Sequence, residues 1–531
     1  MKDVLVYDTT LRDGCQAENV TFSGEDKLRV ARTLDALGVD FIEGGWPNET
    51  NPRDREFFAR AADESWQNAR LAAFGSTRRA NLAPEDDTQL QQLVASGAPV
   101  ITIFGKAWTL HATEILRITL EENLALIEDS VAWLKAQGRT VFFDAEHFFD
   151  GYRADSAYAL ETLRAAQRGG ADALIPCDTN GGSLPLQIQE IMSVLVAEFT
   201  LPLGIHAHND AGMADANSLL AVTAGATQVQ GTINGYGERA GNANLCTILP
   251  NLELKMGKTC LPEGKLAEIT YVSAYVSELA NLPHNTRLPY VGRSAFAHKG
   301  GMHVNAVMKD PVSFEHIPPE TVGNERRILV SDQAGRSTIL HKLQTMYPRL
   351  SREDPLIQTV LQEVKERENR GYEYEAADAS LALLARKLKG ELPDLFQLHG
   401  FRVMVEKHDE TDEPFSEATI RIRVNDARYH TAAEGNGPVN ALDKALRKAL
   451  RPKYPELDHL ELVDYKVRVL EGTVGTATPV RVLIQTTDGE ETWGTVGVHE
   501  NMIQASWEAL VDAIIYGLHK HLRKRAEVQP E

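Results

Sequence analysis

From residue 4 to residue 235 the chain alternates short, β-rich apolar runs with longer stretches whose apolar positions recur at helical spacing. The runs are VLVYDTT (4 to 10), VDFIEGG (39 to 45), RLAAFGS (70 to 76), VITIFGK (100 to 106), TVFFDAEHF (140 to 148), ADALIPCDT (171 to 179), LPLGIHAH (201 to 208) and TQVQGTING (227 to 235). Eight strands alternating with helices predict an α/β fold, a closed (β/α)8 TIM barrel over residues 1–270 in preference to an open sheet. The intervening helices carry their own punctuation. Ser23 stands ahead of GEDKLRVARTLDALG, where Leu28, Ala31, Leu34 and Leu37 keep helical spacing and Gly38 ends the run.

From about 271 to 391 the periodicity is mainly helical, interrupted by the loop-rich segment LPHNTRLPYVGRSAFAHKGGMHVNAV, and predicts helical linker subdomains. Residues 392–531 change character again. The runs FRVMVEKH, EATIRIRVN, YKVRVLEG, VRVLIQTT and ETWGTVGVH, with the helical stretches NALDKALRKAL and ASWEALVDAIIYGLHKHL, predict a separate C-terminal α+β domain.

Composition narrows the function. A chain of 531 residues exceeds what one core usually supports, and a formal net charge of -20 argues against a nucleic-acid or anionic-membrane partner. Cys15, Cys177, Cys246 and Cys260 show no zinc or disulfide spacing, which fits reduced thiols. The N-terminus runs straight into an apolar strand with no signal-peptide pattern, and no apolar stretch is long enough to span a bilayer, so a cytoplasmic location is expected.

Barrel enzymes draw their sites from the C-terminal ends of the strands, and here those ends carry Arg12 and Asp13, Glu43, Glu146, Asp178 and Thr179, His206 and His208, and the GYGERAGN segment. His206 and His208 lie two apart on a strand, so both imidazoles face one way and, with Asp13, form a two-His, one-carboxylate set for a divalent ion such as Mg, Mn, Zn or Co. Two histidines merely filling polar barrel positions is the competing reading, and their place at a strand end weighs against it. Asn242 is a candidate neutral oxygen ligand, with Gly237 and Gly241 letting the backbone bend toward the metal, or else an ordinary turn asparagine. Arg12 is placed to stabilise an oxyanion, or pairs with Glu43 for structure, and both hold together if the carboxylate orients the guanidinium. Glu146, among Phe142, Phe143, Phe148 and Phe149, is either an acid/base with a raised pKa or one half of an internal ion pair. In the C-terminal region Gly435 and Gly437 would let backbone approach a small ligand, against the alternative of a domain that only cements a dimer.

LRDG, HAHND and GYGERAGN in barrel order, with SAFAHKGGMHVNAV and GNGPVNALDKAL further on, closely resemble the DRE-TIM metallolyase superfamily, which holds isopropylmalate, homocitrate and citramalate synthases and hydroxymethylglutaryl-CoA lyase. The resemblance covers nearly the whole chain. It implies that Asp13, His206 and His208 bind the metal with Asn242 as a further ligand, that Arg12 polarises the carbonyl of a 2-oxo acid, and that Glu146 and His303 serve the acid/base steps. It also implies a homodimer in which His303 comes from the partner subunit. Cys15 after RDG, DTNGG after strand six, EGGWP and FDAEHF look like the long citramalate branch, which implies acetyl-CoA and pyruvate as substrates, a pocket around Thr179 sized for a methyl group, and isoleucine as effector. One or two methylenes discriminate by only ~1–3 kcal/mol, so the isopropylmalate and homocitrate alternatives stay open. So do a lyase running the chemistry backwards, a non-haem iron oxygenase on the same facial triad, and a catalytically silent amino-acid sensor.

Overall fold

All eight predicted runs form strands: β1 (Leu5–Asp8), β2 (Phe41–Gly45), β3 (Arg70–Ser76), β4 (Val100–Lys106), β5 (Thr140–Glu146), β6 (Ala173–Asp178), β7 (Gly204–Ala207) and β8 (Gln228–Gly231). The computed structural model describes residues 2–330, 335–392, 394–407, 409–410, 413–470 and 478–528. The strands pair in sequential order, all parallel, and β8 returns to β1 with Val6 opposite Val229, closing the barrel. A parallel closed sheet is buried on both faces, which is why the runs read as near-continuous apolar segments. Tyr7, Phe41, Val100, Phe142, Ile175 and Cys177 pack together inside it, and a larger apolar cluster lies between strands and helices. The helix Gly24–Leu37 begins at a capping box between Ser23 and Asp26 and ends at Gly38, whose φ of 96° needs the freedom of glycine.

The chain divides into two compact units, 1–296 with 317–326 and 297–316 with 327–531, so the stretch expected to form linker subdomains is shared between them. At its two entries into the second unit the chain forms the two-residue parallel pair β9 (Ala297–His298) and β10 (Arg327–Ile328).

The C-terminal part of the second unit repeats one plan, three antiparallel strands followed by a helix. Strands β11 (Gln397–Glu406), β12 (Phe415–Val424) and β13 (Ala427–Gly435) precede the helix Pro438–Leu450, and β14 (Glu461–Val469), β15 (Val480–Thr487) and β16 (Thr492–His499) precede the helix Met502–Val528. Ile420, Ile422, Leu442, Leu446, Val482, Ile484, Leu510 and Ile514 share one core. The strand β13 escaped the sequence reading because ARYHTAAEG lacks a run of apolar residues and none of its positions is fully buried. It is held instead by its hairpin register with β12, from Ser416 opposite Gly435 to Val424 opposite Ala427. Among the described residues no helix is long and apolar enough to cross a membrane.

Candidate active site

The loop after β1 is wound so that the N–H groups of Arg12, Asp13 and Gly14 all reach the carbonyl of Thr9, at 3.2, 2.9 and 3.1 Å. That tight turn delivers two adjacent charged side chains to the barrel mouth. From β7, pleat alternation sends His206 and His208 to the same place, where their Nε2 atoms stand 3.3 Å apart. Asp13 Oδ2 lies 3.2 Å from His206 Nε2 and 4.0 Å from His208 Nε2, and accepts a 2.8 Å hydrogen bond from Asn242 Nδ2. Asn242 is carried by the turn after β8, where Gly241 has φ 90° and a Cβ at Gly237 would fall 2.1 Å from the Asn242 amide oxygen. The predicted ligand set is therefore brought together, and the two glycines are there because the turn folds tightly over Asn242.

The cluster is buried, with Asp13, His206, His208 and Asn242 each at most 5% exposed. Yet Asp13 Oδ1, Asn242 Oδ1 and His208 Nδ1 have no hydrogen-bond partner. Each buried orphan costs on the order of 1–3 kcal/mol if nothing satisfies it. Burial pushes Asp13 up, but Arg12, His206 and His208 outweigh it and hold the carboxylate well below its ordinary range. Burial and the neighbouring His206 lower His208 to about 3, which keeps it a neutral lone-pair donor, while Asp13 overcomes burial to raise His206. An ionised carboxylate and two imidazole Nε2 atoms converging in one buried place, with the Asn242 amide bonded beside them, fit a divalent cation with mixed nitrogen and oxygen ligands.

Arg12 is fixed on three sides. Its Nε donates to Glu43 Oε1 at 2.5 Å, its Nη1 lies 3.5 Å from Asp13 Oδ2, and its guanidinium sits 3.7 Å above the centre of the Phe74 ring. Glu43, fully buried, takes its second anchor from Tyr7, whose hydroxyl donates to Oε2 at 2.7 Å and meets Thr102 Oγ1 at 2.7 Å. Glu43 thus stands behind Arg12 and orients it. Asp13 and Glu43 together raise the pKa of Arg12 against the effect of burial, so it is permanently charged. Beside Arg12 opens a cleft of about 450 Å³ lined by Cys15, Gln16, Trp46, Asn51 and Arg53.

At the end of β5, Glu146 is ion-paired with Lys106 from β4. The ion pair of the sequence reading is present, and its partner Lys106, which closes its run as VITIFGK, went unremarked there. Thr179 accepts a 2.9 Å hydrogen bond at Oγ1 from the His147 N–H, while its carbonyl and Asp210 are gripped by Arg239, joining the loops after β6, β7 and β8. His303 belongs to the second unit, on the helix Gly301–Val307, where its ring stacks on Phe314 at 4.4 Å. Gly435 ends β13 against the helix Pro438–Leu450, with Ala441 N only 2.4 Å from where a Cβ would stand, whereas Gly437 has open space beside it. Also missed were Gln230, which meets His206, and Asp144, which meets Gln230. Their polar character at alternate, inward positions of TQVQG and TVFFDAE was the available signal.

The HMGL-like family profile matches residues 3–276, the homocitrate synthase post-HMGL domain-like profile 290–371, and the LeuA allosteric (dimerisation) domain profile 375–518. The chain is 53% identical over 520 residues to (R)-citramalate synthase of Geobacter sulfurreducens, covering 98% of both chains. It is 52% identical to (R)-citramalate synthase of Aquifex aeolicus, over 97% of this chain and 98% of that one. Identity to a probable 2-isopropylmalate synthase of Methanopyrus kandleri is 31%, over 99% of each. Its barrel, its C-terminal domain and its full-length relatives agree: the chain belongs to the HMGL-like family and, within it, to the citramalate synthase enzymes.

Proposed function

We propose that this enzyme condenses acetyl-CoA with pyruvate and hydrolyses the product to (R)-citramalate and free CoA. The observation that carries the reading is the identity of more than half the chain, end to end, to (R)-citramalate synthases, with an assembled barrel-mouth site beneath it. Asp13, His206 and His208, with Asn242 beside them, would hold a divalent ion, which when bound would supply Lewis-acid polarisation of the 2-oxo acid. Arg12, immobilised by Glu43 and Phe74, presents its remaining N–H groups to the keto oxygen and stabilises the charge that develops there. A base drawn from Glu146 and, as the family resemblance implies, the partner subunit's His303 takes a proton from the acetyl methyl group. The resulting carbon nucleophile forms the new C–C bond at the keto carbon, and the keto oxygen, now an alkoxide, is protonated. Water then cleaves the thioester, releasing CoA as the thiol. Thr179 and the loop it ties to β5 border the acceptor and set the room left for its methyl group.

The same reading makes the enzyme a homodimer through its C-terminal domain, with isoleucine, the amino acid built from citramalate, as feedback effector in the region of Gly435 and Gly437. The test is a panel of pyruvate, 2-oxoisovalerate and 2-oxoglutarate assayed for CoA release with acetyl-CoA and a divalent metal. Pyruvate is expected to be preferred by at least about tenfold, in line with the limited discrimination a methylene or two provides. Preference for either larger acid overturns the acceptor while leaving the condensation standing.

A further inference from the structure

Beneath the metal set lies a second tier that the condensation does not use. On β8, Gln230 is fully buried and its Oε1 is 2.9 Å from His206 Nδ1. Its Nε2 donates across the barrel to Asp144 Oδ1 on β5, at 3.2 Å, and Asp144 is itself only 3% exposed. An amide and a carboxylate here are costly compared with the apolar side chains Tyr7, Phe142, Ile175 and Cys177 that fill the barrel. The arrangement has a directional logic. A carboxylate only accepts, so Gln230 must turn its amine toward Asp144, which leaves its carbonyl oxygen facing His206. That oxygen also only accepts, so Nδ1 of His206 must carry the proton. Nε2, 3.2 Å from Asp13 Oδ2, is then the nitrogen whose lone pair a metal ion would take.

We propose that Gln230 and Asp144 form a positioning relay that locks His206 in its Nδ1–H tautomer and so prepares Nε2 to bind the metal. The proposal rests on the reading of Asp13, His206 and His208 as metal ligands. Neither Gln230 nor Asp144 touches substrate; both act through His206, as outer partners of metal-bound histidines do. Asp144 works by rejecting the wrong flip of the Gln230 amide, because that flip would set two oxygens against each other and present an N–H pair to Nδ1.

The test uses full-length protein at pH 8 and Co2+ as probe, with affinity read by calorimetry and geometry by the visible absorption of the bound ion. Gln230→Leu, which keeps the bulk and removes both hydrogen bonds, is expected to weaken Co2+ binding about 10- to 100-fold with a changed absorption band. Asp144→Asn is expected to weaken it less. His206→Ala is the reference. If His206→Ala loses tight binding while Gln230→Leu stays within about threefold of the parent, the relay is wrong and the metal site stands; if His206→Ala binds like the parent, the metal reading itself fails and takes the relay with it. The parental protein supplies a readout that needs no folded Gln230 variant. In 15N-histidine spectra of the Zn2+-loaded protein, the signals lost in His206→Ala should show a protonated Nδ1 and a metal-bound Nε2, and metal on Nδ1 overturns the proposal.

Discussion

The barrel mouth and the C-terminal part of the second unit are built from the same kinds of apolar strands and helices, yet each holds a buried polar cluster, and the two clusters are bonded in opposite ways. At the mouth, Asp13 Oδ1, Asn242 Oδ1 and His208 Nδ1 stay unpaired within one cluster, around an acid held ionised by Arg12. In the second unit, Ser380 donates to Asp512 at 2.7 Å and accepts from the Val496 N–H, while Glu508 accepts from the Tyr372 hydroxyl at 2.9 Å. Those bonds join helices to strand β16 and use up the polar atoms in holding the fold. In these two clusters stability and chemistry are separated: unmet polarity around the ionised Asp13 suits a bound ligand, and the satisfied bonds of Ser380 and Glu508 fasten a domain. The Arg12–Glu43–Tyr7–Thr102 chain shows the two purposes meeting, since it is fully bonded yet exists to aim one guanidinium.

Substitutions at the mouth should not behave like those in a structural core. His206→Ala or His208→Ala should abolish turnover and metal uptake while the melting temperature, followed by circular dichroism on metal-free protein, moves little, because each removes a costly buried ligand atom. Near-parental CoA release with bound metal in both variants would show that the orphaned atoms mark nothing. Next in size, Arg12→Lys should lower kcat by on the order of 10²-fold or more despite keeping the charge, since an ammonium cannot bridge Glu43 and an oxyanion in one plane. Steady-state assays that return the parental rate would reduce Arg12 to a structural role.

On the other side of the comparison, isoleucine added to full-length enzyme should cut turnover or weaken acetyl-CoA binding by roughly 5- to 150-fold, the usual span of allosteric coupling, with leucine and valine weaker. Calorimetry showing that none of the three binds would leave the second unit a fastening domain only. The smallest effect concerns Asp512. Burial raises its carboxyl from 3.8 to about 6, so the folded state holds the proton more tightly than the unfolded one. Its contribution to stability is then complete below 3.8 and is lost as pH rises toward about 6. Asp512→Asn should flatten that pH dependence by on the order of a few degrees in the melting of the second unit, without changing kcat. Thermal scans with the same slope for parent and variant across that window would remove Asp512 from the account.

Whatever depends on local periodicity and on short motifs is legible in the chain itself. Eight apolar runs separated by helical stretches specify a closed parallel barrel, because strands covered on both faces must be apolar throughout and each needs a crossover helix. Two residues of spacing in HAHND specify that both imidazoles face one way, and Ser23 with Gly38 brackets a helix whatever surrounds it. β13 was illegible because a largely polar, hairpin-held strand leaves no apolar pattern. The partners across the barrel, by contrast, are set by the folded ring. Gln230 and Asp144 are 86 positions apart, Tyr7 and Thr102 95, and Asn242 and Asp13 229, and nothing in the spacing of either member names the other. Such pairs depend on the register at which eight strands close, a property of the whole ring that no single segment encodes. The same holds for His303, whose segment belongs with the second unit through the pairing of Ala297 and His298 with Arg327 and Ile328. Local sequence chooses the face a side chain points to, and closure of the barrel chooses what it meets there.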